Sequence, residues 1–274
     1  MTGAPVDGPT PDAAAPAAES AVGAAGAAPA VEAGDATGSP TATPVLAAEG
    51  VVKAYRGGDG SRLLVLDGVD LRVARGEMVA VVGASGAGKS TFLHVLGALD
   101  RPDAGEVRLG GVSTRTASDE ALAALRNRTV GFVFQFHHLL KEFSALENVM
   151  MPLRIAEVPV AEARERAAAL LARVGLAARA HHRPAELSGG EQQRAAVARA
   201  LAADPPLLLA DEPSGNLDHQ NAERLHALFA ELTAELAVGV VVVTHNRSLA
   251  ARAGRILHLE DGRLRPATPA EGGV

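Results

Sequence analysis

The segment Gly83–Thr91, with the sequence GASGAGKST, constrains the fold more than any other part of the chain. It lies between an apolar run, EMVAVVG at 77–83, and a stretch that is predicted to be a helix from Lys89 to about Leu99. An apolar run without polar alternation indicates a strand buried on both faces of a parallel sheet. A glycine-rich turn between such a strand and a helix presents backbone N–H groups that can bind phosphate. The predicted fold class is therefore α/β, with a phosphate site in this turn.

The residues of this turn have distinct expected roles. Lys89 is expected to reach the β- and γ-phosphates of a nucleotide, and the Ser90 hydroxyl to bind Mg²⁺. A glycine-rich turn without a ligand is the alternative, which the Lys-Ser pair in register with the glycines disfavours. The candidate ATP-binding residues here are Gly83, Ala84, Ser85, Gly86, Ala87, Gly88, Lys89, Ser90 and Thr91.

Two later apolar runs also end in polar residues. PLLLADEP at 206–213 places Asp211 and Glu212 at the predicted carboxyl end of a buried strand, where α/β folds bind ligands. Asp211 is a candidate Mg²⁺ ligand, and Glu212 is a candidate general base for the attacking water. A cluster of turn and N-cap residues is the alternative interpretation. VGVVVVTH at 238–245 places His245 at the end of another such strand. A lone histidine is more often structural, but this position favours a functional role and makes His245 a candidate catalytic residue.

Gln135 follows another strand-like run in GFVFQFHHLL. Its uncharged amide can contact both Mg²⁺ and an attacking water, so Gln135 is a candidate for the catalytic and the metal site. Taken alone, this residue type and position do not distinguish a functional from a structural glutamine.

Strands that alternate with helices predict an α/β fold with a mostly parallel core sheet. Two strands at 45–55 and 62–73 predict an antiparallel β subdomain at the start of the core, and Asp261-Gly262 predicts a closing hairpin. A mostly helical insertion is expected at about 92–187. The expected organisation is a disordered tail at 1–46, a nucleotide-binding domain at 47–266 and a flexible C-terminus at 267–274.

Composition and charge separate the tail from the rest of the chain. Residues 1–46 are nearly all Ala, Pro, Gly, Thr and Asp, which cannot bury enough apolar surface to order the segment. The first 52 residues contain no Lys or Arg and six acids, and the remaining chain carries 26 acids and 26 bases. This balance argues against nucleic-acid binding, which requires a basic excess. The chain has no cysteine, and no apolar run reaches the ~18–20 residues that span a bilayer.

The motifs GASGAGKST, Gln135, LSGGEQQR, LLLADEP, SGNLD and VVVTH, in this order, resemble the motif set of ATP-binding cassette (ABC) ATPases, a group of P-loop NTPases. The resemblance covers about residues 45–265. It implies that Tyr55 stacks on adenine and that Asp218 belongs to a loop linking two nucleotide sites. It also implies a head-to-tail homodimer that holds two ATP molecules between its subunits. The partner's Ser188, Gly189 and Gly190 then face the phosphate bound by Lys89.

Three further segments resemble the ATPase subunits of bacterial lipoprotein-releasing transporters: FQFHHLL at 134–140, FSALENVMMPL at 143–153 and HHRPAELSGGEQQR at 181–194. This resemblance implies transport-coupled ATP hydrolysis at the cytoplasmic face of the inner membrane, together with two integral membrane subunits. Macrolide-export and cell-division ABC systems share the general motifs and remain alternatives. A soluble ABC ATPase acting on nucleic acid or ribosomes, and a silent binding module, are less favoured. Metal binding by the paired histidines is not expected.

The two glycines of LSGGEQQR begin a predicted helix, where alanine would be favoured by up to ~1 kcal/mol. Ser188 and Glu191 predict a capping box, which does not explain the glycines. A phosphate from a second subunit explains them, because N–H groups without a Cβ nearby approach an anion closely. This interpretation predicts that Gly190→Asp spares the fold of the monomer and abolishes dimer closure.

Overall fold

The computed structural model describes residues 43–58 and 60–267, all within one compact unit, Thr41–Val274. Most of the predicted tail at 1–46 and of the C-terminus at 267–274 lies outside the described residues. The strands are β1 Leu46–Arg56, β2 Arg62–Val73, β3 Met78–Val82, β4 Ala104–Leu109, β5 Val112–Ser113, β6 Val130–Phe134, β7 Leu207–Asp211, β8 Gly239–Val243, β9 Arg255–Glu260 and β10 Arg263–Pro266. The α-helices are α1 Lys89–Leu96, α2 Asp119–Thr129, α3 Ala145–Ile155, α4 Val160–Arg173, α5 Gly189–Leu201, α6 His219–Leu236 and α7 Arg247–Ala250.

The central sheet has six strands in the order β10-β9-β3-β8-β7-β6. The five strands from β9 to β6 are parallel, and β10 is added antiparallel through the predicted hairpin. Asp261 and Gly262 both have positive φ, 47° and 76°, as a two-residue hairpin turn of this kind requires. The predicted α/β class with a mostly parallel core sheet is confirmed.

Both faces of the central sheet are buried, which explains its unalternating apolar strands. In β7, Leu207 and Leu209 face the layer that contains α1, α2 and the second sheet, whereas Leu208 and Ala210 face the layer of α3 to α7. All four side chains are fully buried. Successive strand residues point to opposite faces, so a strand with a core on each side needs apolar residues throughout.

The second sheet is antiparallel, in the order β2-β1-β4-β5. Asp67-Gly68, a residue pair typical of turns, is part of the continuous strand β2, where Gly68 has a φ of 71° and the pairing with β1 shifts register. A glycine at positive φ within a paired strand is typical of a β-bulge.

The helical insertion is shorter than the sequence predicts. Within 92–187, β4 and β5 belong to the antiparallel sheet and β6 is an edge strand of the central sheet, so the wholly helical part begins at α3. Within this helical part, residues 145–173 form two separate helices, α3 and α4. Glu157 has a φ of 60° and Pro159 precedes α4, and both interrupt regular helical hydrogen bonding.

Within the described ranges, no helix is long and apolar enough to cross a membrane.

Candidate nucleotide-binding and catalytic site

The candidate catalytic residues lie at the carboxyl ends of the strands of the central sheet. Phe134, Asp211 and Val243 are in register across β6, β7 and β8. The chain therefore leaves three adjacent strands at their carboxyl ends, with Gln135 after β6, Glu212 after β7 and the segment leading to His245 after β8. The glycine-rich loop follows the neighbouring parallel strand β3 at the same end of the sheet, where α/β folds bind ligands.

A cavity of about 770 Å³ opens at the carboxyl ends of these strands. Twelve of the candidate site residues line it: Tyr55, Gly83, Ser85, Gly86, Gly88, Lys89, Ser90, Thr91, Gln135, Asp211, Glu212 and His245. These residues come from five separate segments of the chain, so the fold brings the separately predicted site residues together around one cavity. Ala84 and Ala87 belong to the same loop but do not line the cavity.

The loop is shaped to present positive charge to an anion. Gly88 has a φ of 93°, and a Cβ there would lie 2.6 Å from Cγ1 of Val65, so glycine is required. The ammonium group of Lys89 donates hydrogen bonds to the carbonyls of Gly83 and Ala84, both at 2.9 Å. In the described part of the chain it forms no ion pair with a carboxylate. Its positive charge is therefore not neutralised and favours a phosphate in the cavity.

The first turn of α1 supports the same conclusion. Its N-cap residue, Gly88, forms no side-chain cap, and no acidic residue occupies the first turn. By contrast, a side chain caps α2, α3, α5, α6 and α7. The first N–H groups of a helix have no partner within the helix, so α1 offers its donors to a ligand.

Glu212 and His245 are in direct contact. Nδ1 of His245 lies 2.8 Å from Oε1 of Glu212, and the His245 backbone N–H donates to Oε2 at 3.2 Å. The Glu212 side chain is 15% exposed and that of His245 is 72% exposed. This pair combines a shielded carboxylate with an accessible imidazole, an arrangement suited to taking a proton from water at the cavity wall.

The backbone of Glu212 has a φ of 45°, which is unusual for a residue with a side chain. This left-handed conformation costs about 1 kcal/mol or more, so surrounding contacts must maintain it. The Glu212 N–H donates to the Val243 carbonyl at 2.9 Å, and the Glu212 carbonyl accepts from the Gly215 N–H at 3.0 Å. These bonds direct the carboxylate away from the strand and into the cavity.

Asn216 holds Gln135 by two hydrogen bonds. Nε2 of Gln135 donates to Oδ1 of Asn216 at 3.0 Å, and Nδ2 of Asn216 donates to the Gln135 carbonyl at 3.3 Å. The sequence interpretation did not identify this residue, although SGNLD contains it. In the sequence, Asn216 is only an amide side chain within a turn-rich segment, and asparagine is common in turns for conformational reasons alone.

Tyr55 is also held in place at the cavity wall. Its hydroxyl donates to Oδ2 of Asp100 at 2.8 Å, and Nζ of Lys53 lies 5.2 Å from the ring centroid. Nζ of Lys53 donates to Oδ1 of Asp100 at 2.7 Å. Burial opposes ionisation of Asp100, but the hydrogen bonds from Lys53 and Tyr55 outweigh it and lower the pKa of this carboxyl. An aromatic ring fixed in this way provides a stacking surface for a base.

Four candidate residues, Ser188, Gly189, Gly190 and Asp218, do not line the cavity. Ser188 forms the predicted capping box with Glu191: the Ser188 hydroxyl accepts from the Glu191 N–H at 3.3 Å, and Oε2 of Glu191 accepts from the Ser188 N–H at 2.8 Å. Asp218 caps α6 through the Asn221 N–H at 3.0 Å.

Gly190 has a structural role that the sequence did not reveal. A Cβ at this position would lie 2.4 Å from Oδ1 of Asn221, whose side chain donates to Asp218 at 2.6 Å. Any substitution of Gly190 therefore displaces a held side chain of the same chain, so Gly190→Asp cannot be expected to spare the fold. A Cβ at Gly189 would meet only Cδ2 of Leu217, at 4.0 Å. A substitution of Gly189 can therefore test a role in phosphate binding without disturbing the packing of the chain.

The donors for a divalent cation are all oxygen atoms. The Ser90 hydroxyl, the Gln135 amide and the Asp211 carboxylate line the same cavity. Oxygen donors with a single carboxylate fit Mg²⁺, which usually keeps several waters and binds phosphate oxygens as well. Among the residues that the structure describes, no group of three or more His, Asp or Glu residues is arranged for a metal ion.

Several further residues line the cavity without having been predicted: Leu63, Val65, Phe134, Phe136 and His138. Leu63 and Val65 belong to β2 of the antiparallel sheet, about 20 residues before the glycine-rich loop. Their apolar side chains carry no chemical signal in the sequence. Only the packing of the antiparallel sheet beside the central sheet brings them to the site.

The fold and the site together define a phosphate-loop ATPase with a cassette architecture. Residues 66–215 match the ABC transporter family, and the chain belongs to that family. It is 54% identical over 214 residues to the lipoprotein-releasing system ATP-binding protein LolD of Geobacter metallireducens, covering 78% of this chain and 95% of that protein. LolD of Bordetella pertussis is 53% identical over 223 residues, covering 81% and 96%.

A solved structure agrees with this assignment. The ATP-binding cassette MJ0796, in a dimeric post-hydrolysis state bound to ADP and Pi, superimposes with a TM-score of 0.74 at 39% identity. The similarity covers 80% of this chain and 96% of that one. The chain is accordingly a nucleotide-binding ATPase, as predicted from its motifs.

Proposed function

We propose that this chain is the ATP-hydrolysing subunit of a transporter that releases lipoproteins from the inner membrane towards the outer membrane. The observation that carries the proposal is identity of 53–54% over nearly the whole length of relatives named as lipoprotein-releasing ATP-binding proteins. The proposed assembly is a homodimer of this chain with two integral membrane subunits, at the cytoplasmic face of the inner membrane.

In the proposed reaction, each cavity residue has one task. Lys89 and the loop N–H groups bind the β- and γ-phosphates, and Tyr55 stacks on the adenine. Ser90, Gln135 and Asp211 would hold Mg²⁺, which neutralises phosphate charge when bound. Glu212 takes the proton of the attacking water, and His245 keeps the Glu212 carboxylate oriented through their 2.8 Å contact.

The segment after Gln135 supplies the proposed docking surface for the membrane subunits. It exposes three apolar side chains, Phe136, Leu140 and Phe143, at 65%, 41% and 38%. Contiguous exposed apolar patches mark interaction sites, and these three side chains all lie within residues 136–143. The backbone beneath them is fixed, because the buried Asn148 donates to the carbonyls of Leu140 and Phe143, both at 3.1 Å.

We expect Leu140→Asp to abolish co-purification of this chain with lipoprotein-releasing membrane subunits, because a carboxylate opposes burial in an apolar interface. Val112→Asp is the matched control, since Val112 is similarly exposed, at 50%, on β5 of the antiparallel sheet. In proteoliposomes, the unmodified complex should release an acylated lipoprotein in an ATP-dependent manner. ATP-dependent macrolide efflux without lipoprotein release would favour the alternative transporter class.

The head-to-tail homodimer is proposed because the predicted phosphate contacts at Ser188, Gly189 and Gly190 lie outside the cavity. The capping box pairs the N–H groups of Ser188 and Glu191, and those of Gly189 and Gly190 have no hydrogen-bond partner in the described chain. Dimeric cassettes occur among the solved structures that the chain resembles. In the proposed dimer, Ser188–Gly190 of one subunit faces the phosphate held by the other subunit's Lys89, and Asp218 lies at the boundary between the two sites.

Gly189→Asp tests this arrangement. The monomer should keep its melting temperature, because the position is open and an acidic residue in the first turn of a helix is favourable. ATPase activity should be lost, because the carboxylate repels the partner's phosphate. Lys89→Ala chains and Gly189→Asp chains should each be inactive alone and regain activity when mixed, since a mixed dimer has one intact site. Absence of recovery in verified mixed dimers contradicts the shared site.

A further inference from the structure

His226 is a buried polar side chain of α6 that the proposed reaction does not use. It is 0% exposed. Its Nε2 lies 2.9 Å from the Ser214 hydroxyl, and its Nδ1 lies 3.3 Å from Oε1 of Glu223. A fully buried imidazole with a partner at each nitrogen has one fixed orientation, so it connects two other parts of the structure rigidly.

The first partner belongs to the turn that begins at Glu212. The carbonyl of Glu212 accepts from the Gly215 N–H, so Ser214 occupies the third position of this four-residue turn. Glu212 itself has the left-handed φ of 45° described above. Such a conformation persists only where neighbouring contacts restrain it, and the bond from Ser214 to His226 is one such restraint.

The second partner leads to the segment that carries His245. Glu223 accepts hydrogen bonds from the Ser248 hydroxyl at Oε1 and from Nη2 of Arg252, at 2.9 Å, at Oε2. Ser248 lies in α7, three residues after His245. Glu223 and His226 are three residues apart on α6 and therefore lie on one face of that helix.

The charge state of this group is consistent with a structural bridge. Burial lowers the pKa of His226 despite the nearby Glu223 carboxylate, so the imidazole is neutral at physiological pH. The Ser248 hydroxyl and Arg252 lower the pKa of Glu223, which stays ionised. In this state Nδ1–H donates to Glu223 and Nε2 accepts from the Ser214 hydroxyl. Ser214 is only 5% exposed and is not part of the cavity, so this Ser-His-Glu series is not a nucleophile.

We propose that His226 is a positioning residue for ATP hydrolysis, which holds the Glu212 turn and the His245 segment in register through Ser214 on one side and Glu223 with Ser248 on the other. This bridge of Ser214, His226, Glu223 and Ser248 joins the same two segments as the direct Glu212–His245 contact. The proposal rests on the catalytic role proposed for Glu212. Because Asp218 is the N-cap residue of α6, the bridge also connects both catalytic segments to the helix proposed to lie at the subunit boundary.

Ser214→Ala and His226→Leu each remove the bridge. We expect kcat for ATP hydrolysis by the full chain to fall about tenfold to a hundredfold, the loss typical of a small displacement of a catalytic group. KM for ATP should remain close to that of the unmodified chain, because neither residue touches the cavity. Ser214→Thr keeps the hydroxyl and should retain kcat. The double variant should lose no more than the worse single variant, because both changes break the same connection.

Thr233→Val is the matched control. Thr233 is also a buried polar residue of α6, 8% exposed, but among the described residues its hydroxyl bonds only to the Phe229 carbonyl in the same helix. This variant should keep kcat, KM and a melting temperature near the original. If His226→Leu does not fold, the Ser214 pair still decides the question, because Ser214→Ala leaves the buried imidazole in place.

The proposal is overturned if Ser214→Ala retains full kcat, or if it raises KM and lowers the melting temperature with kcat per folded molecule unchanged. It is also overturned if Ser214→Thr loses as much activity as Ser214→Ala. Failure of the underlying catalytic assignment has a different signature. In that case Glu212→Gln keeps full turnover, whatever the Ser214 variants do.

Discussion

Replacing Glu212 with glutamine should abolish ATP turnover and leave ATP binding intact. Glutamine has nearly the same shape as glutamate. Its amide oxygen can accept from the His245 backbone N–H, and its amide nitrogen can donate to an unprotonated Nδ1 of His245, so the local structure should persist. It cannot take a proton from water at neutral pH. Loss of a general base typically lowers the rate by roughly 10²- to 10⁴-fold.

Two measurements check this expectation. Steady-state phosphate release should fall to near background, while size-exclusion chromatography with ATP should show a persistent dimer, because bound ATP is no longer consumed. Glu142→Gln is the matched control, as Glu142 is an exposed carboxylate outside the cavity. Undiminished turnover in the Glu212 variant would remove this residue from the role of base and leave the cavity without an assigned proton acceptor.

Replacing Lys89 with alanine should instead weaken nucleotide binding. The ammonium group is the cavity's unpaired positive charge, held over the loop by the carbonyls of Gly83 and Ala84. A hydrogen bond to a charged group contributes about 1.5–3 kcal/mol, which corresponds to a roughly 10- to 100-fold loss of affinity. Equilibrium titration with a fluorescent ATP analogue measures the change directly.

The control for this variant is Lys141→Ala, because Lys141 is exposed and does not line the cavity. It should bind ATP like the unmodified chain. The Lys89 and Glu212 variants also separate binding from chemistry: Lys89→Ala should fail at nucleotide binding and Glu212→Gln at hydrolysis. Normal ATP affinity in the Lys89 variant would contradict the assignment of Gly83–Thr91 as the phosphate loop.

Local patterns in the sequence predicted most of the elements that carry chemistry. The unalternating apolar runs that became β3, β7 and β8 indicated strands with a core on both faces. The Ser188–Glu191 spacing predicted a capping box, which the structure contains. These signals succeed because each depends on residues within about one or two turns of helix, or within one strand.

The assignment of strands to sheets could not be predicted in this way. The run before Gln135 has the pattern of a strand, but whether it joins the central sheet as β6, and whether β4 joins the antiparallel sheet, depends on the partners β7 and β1. These partners lie far away in the chain. The amide pair of Gln135 and Asn216 is similarly invisible in the sequence, because 81 residues separate its members. Short segments of this kind take their structure from the strands and side chains that they meet.

The sequence by itself determined the class of chemistry, because a phosphate loop, a strand-ending Asp-Glu pair and a strand-ending histidine each need only local residues in a local order. Tertiary structure alone decided which of these residues share a cavity, since that depends on the strand order β3-β8-β7-β6. It also placed Ser188–Gly190 outside that cavity, gave Gly190 a packing role against Asn221 and brought His226 between Ser214 and Glu223. Contacts between distant segments set these distances, and no periodicity or spacing encodes them.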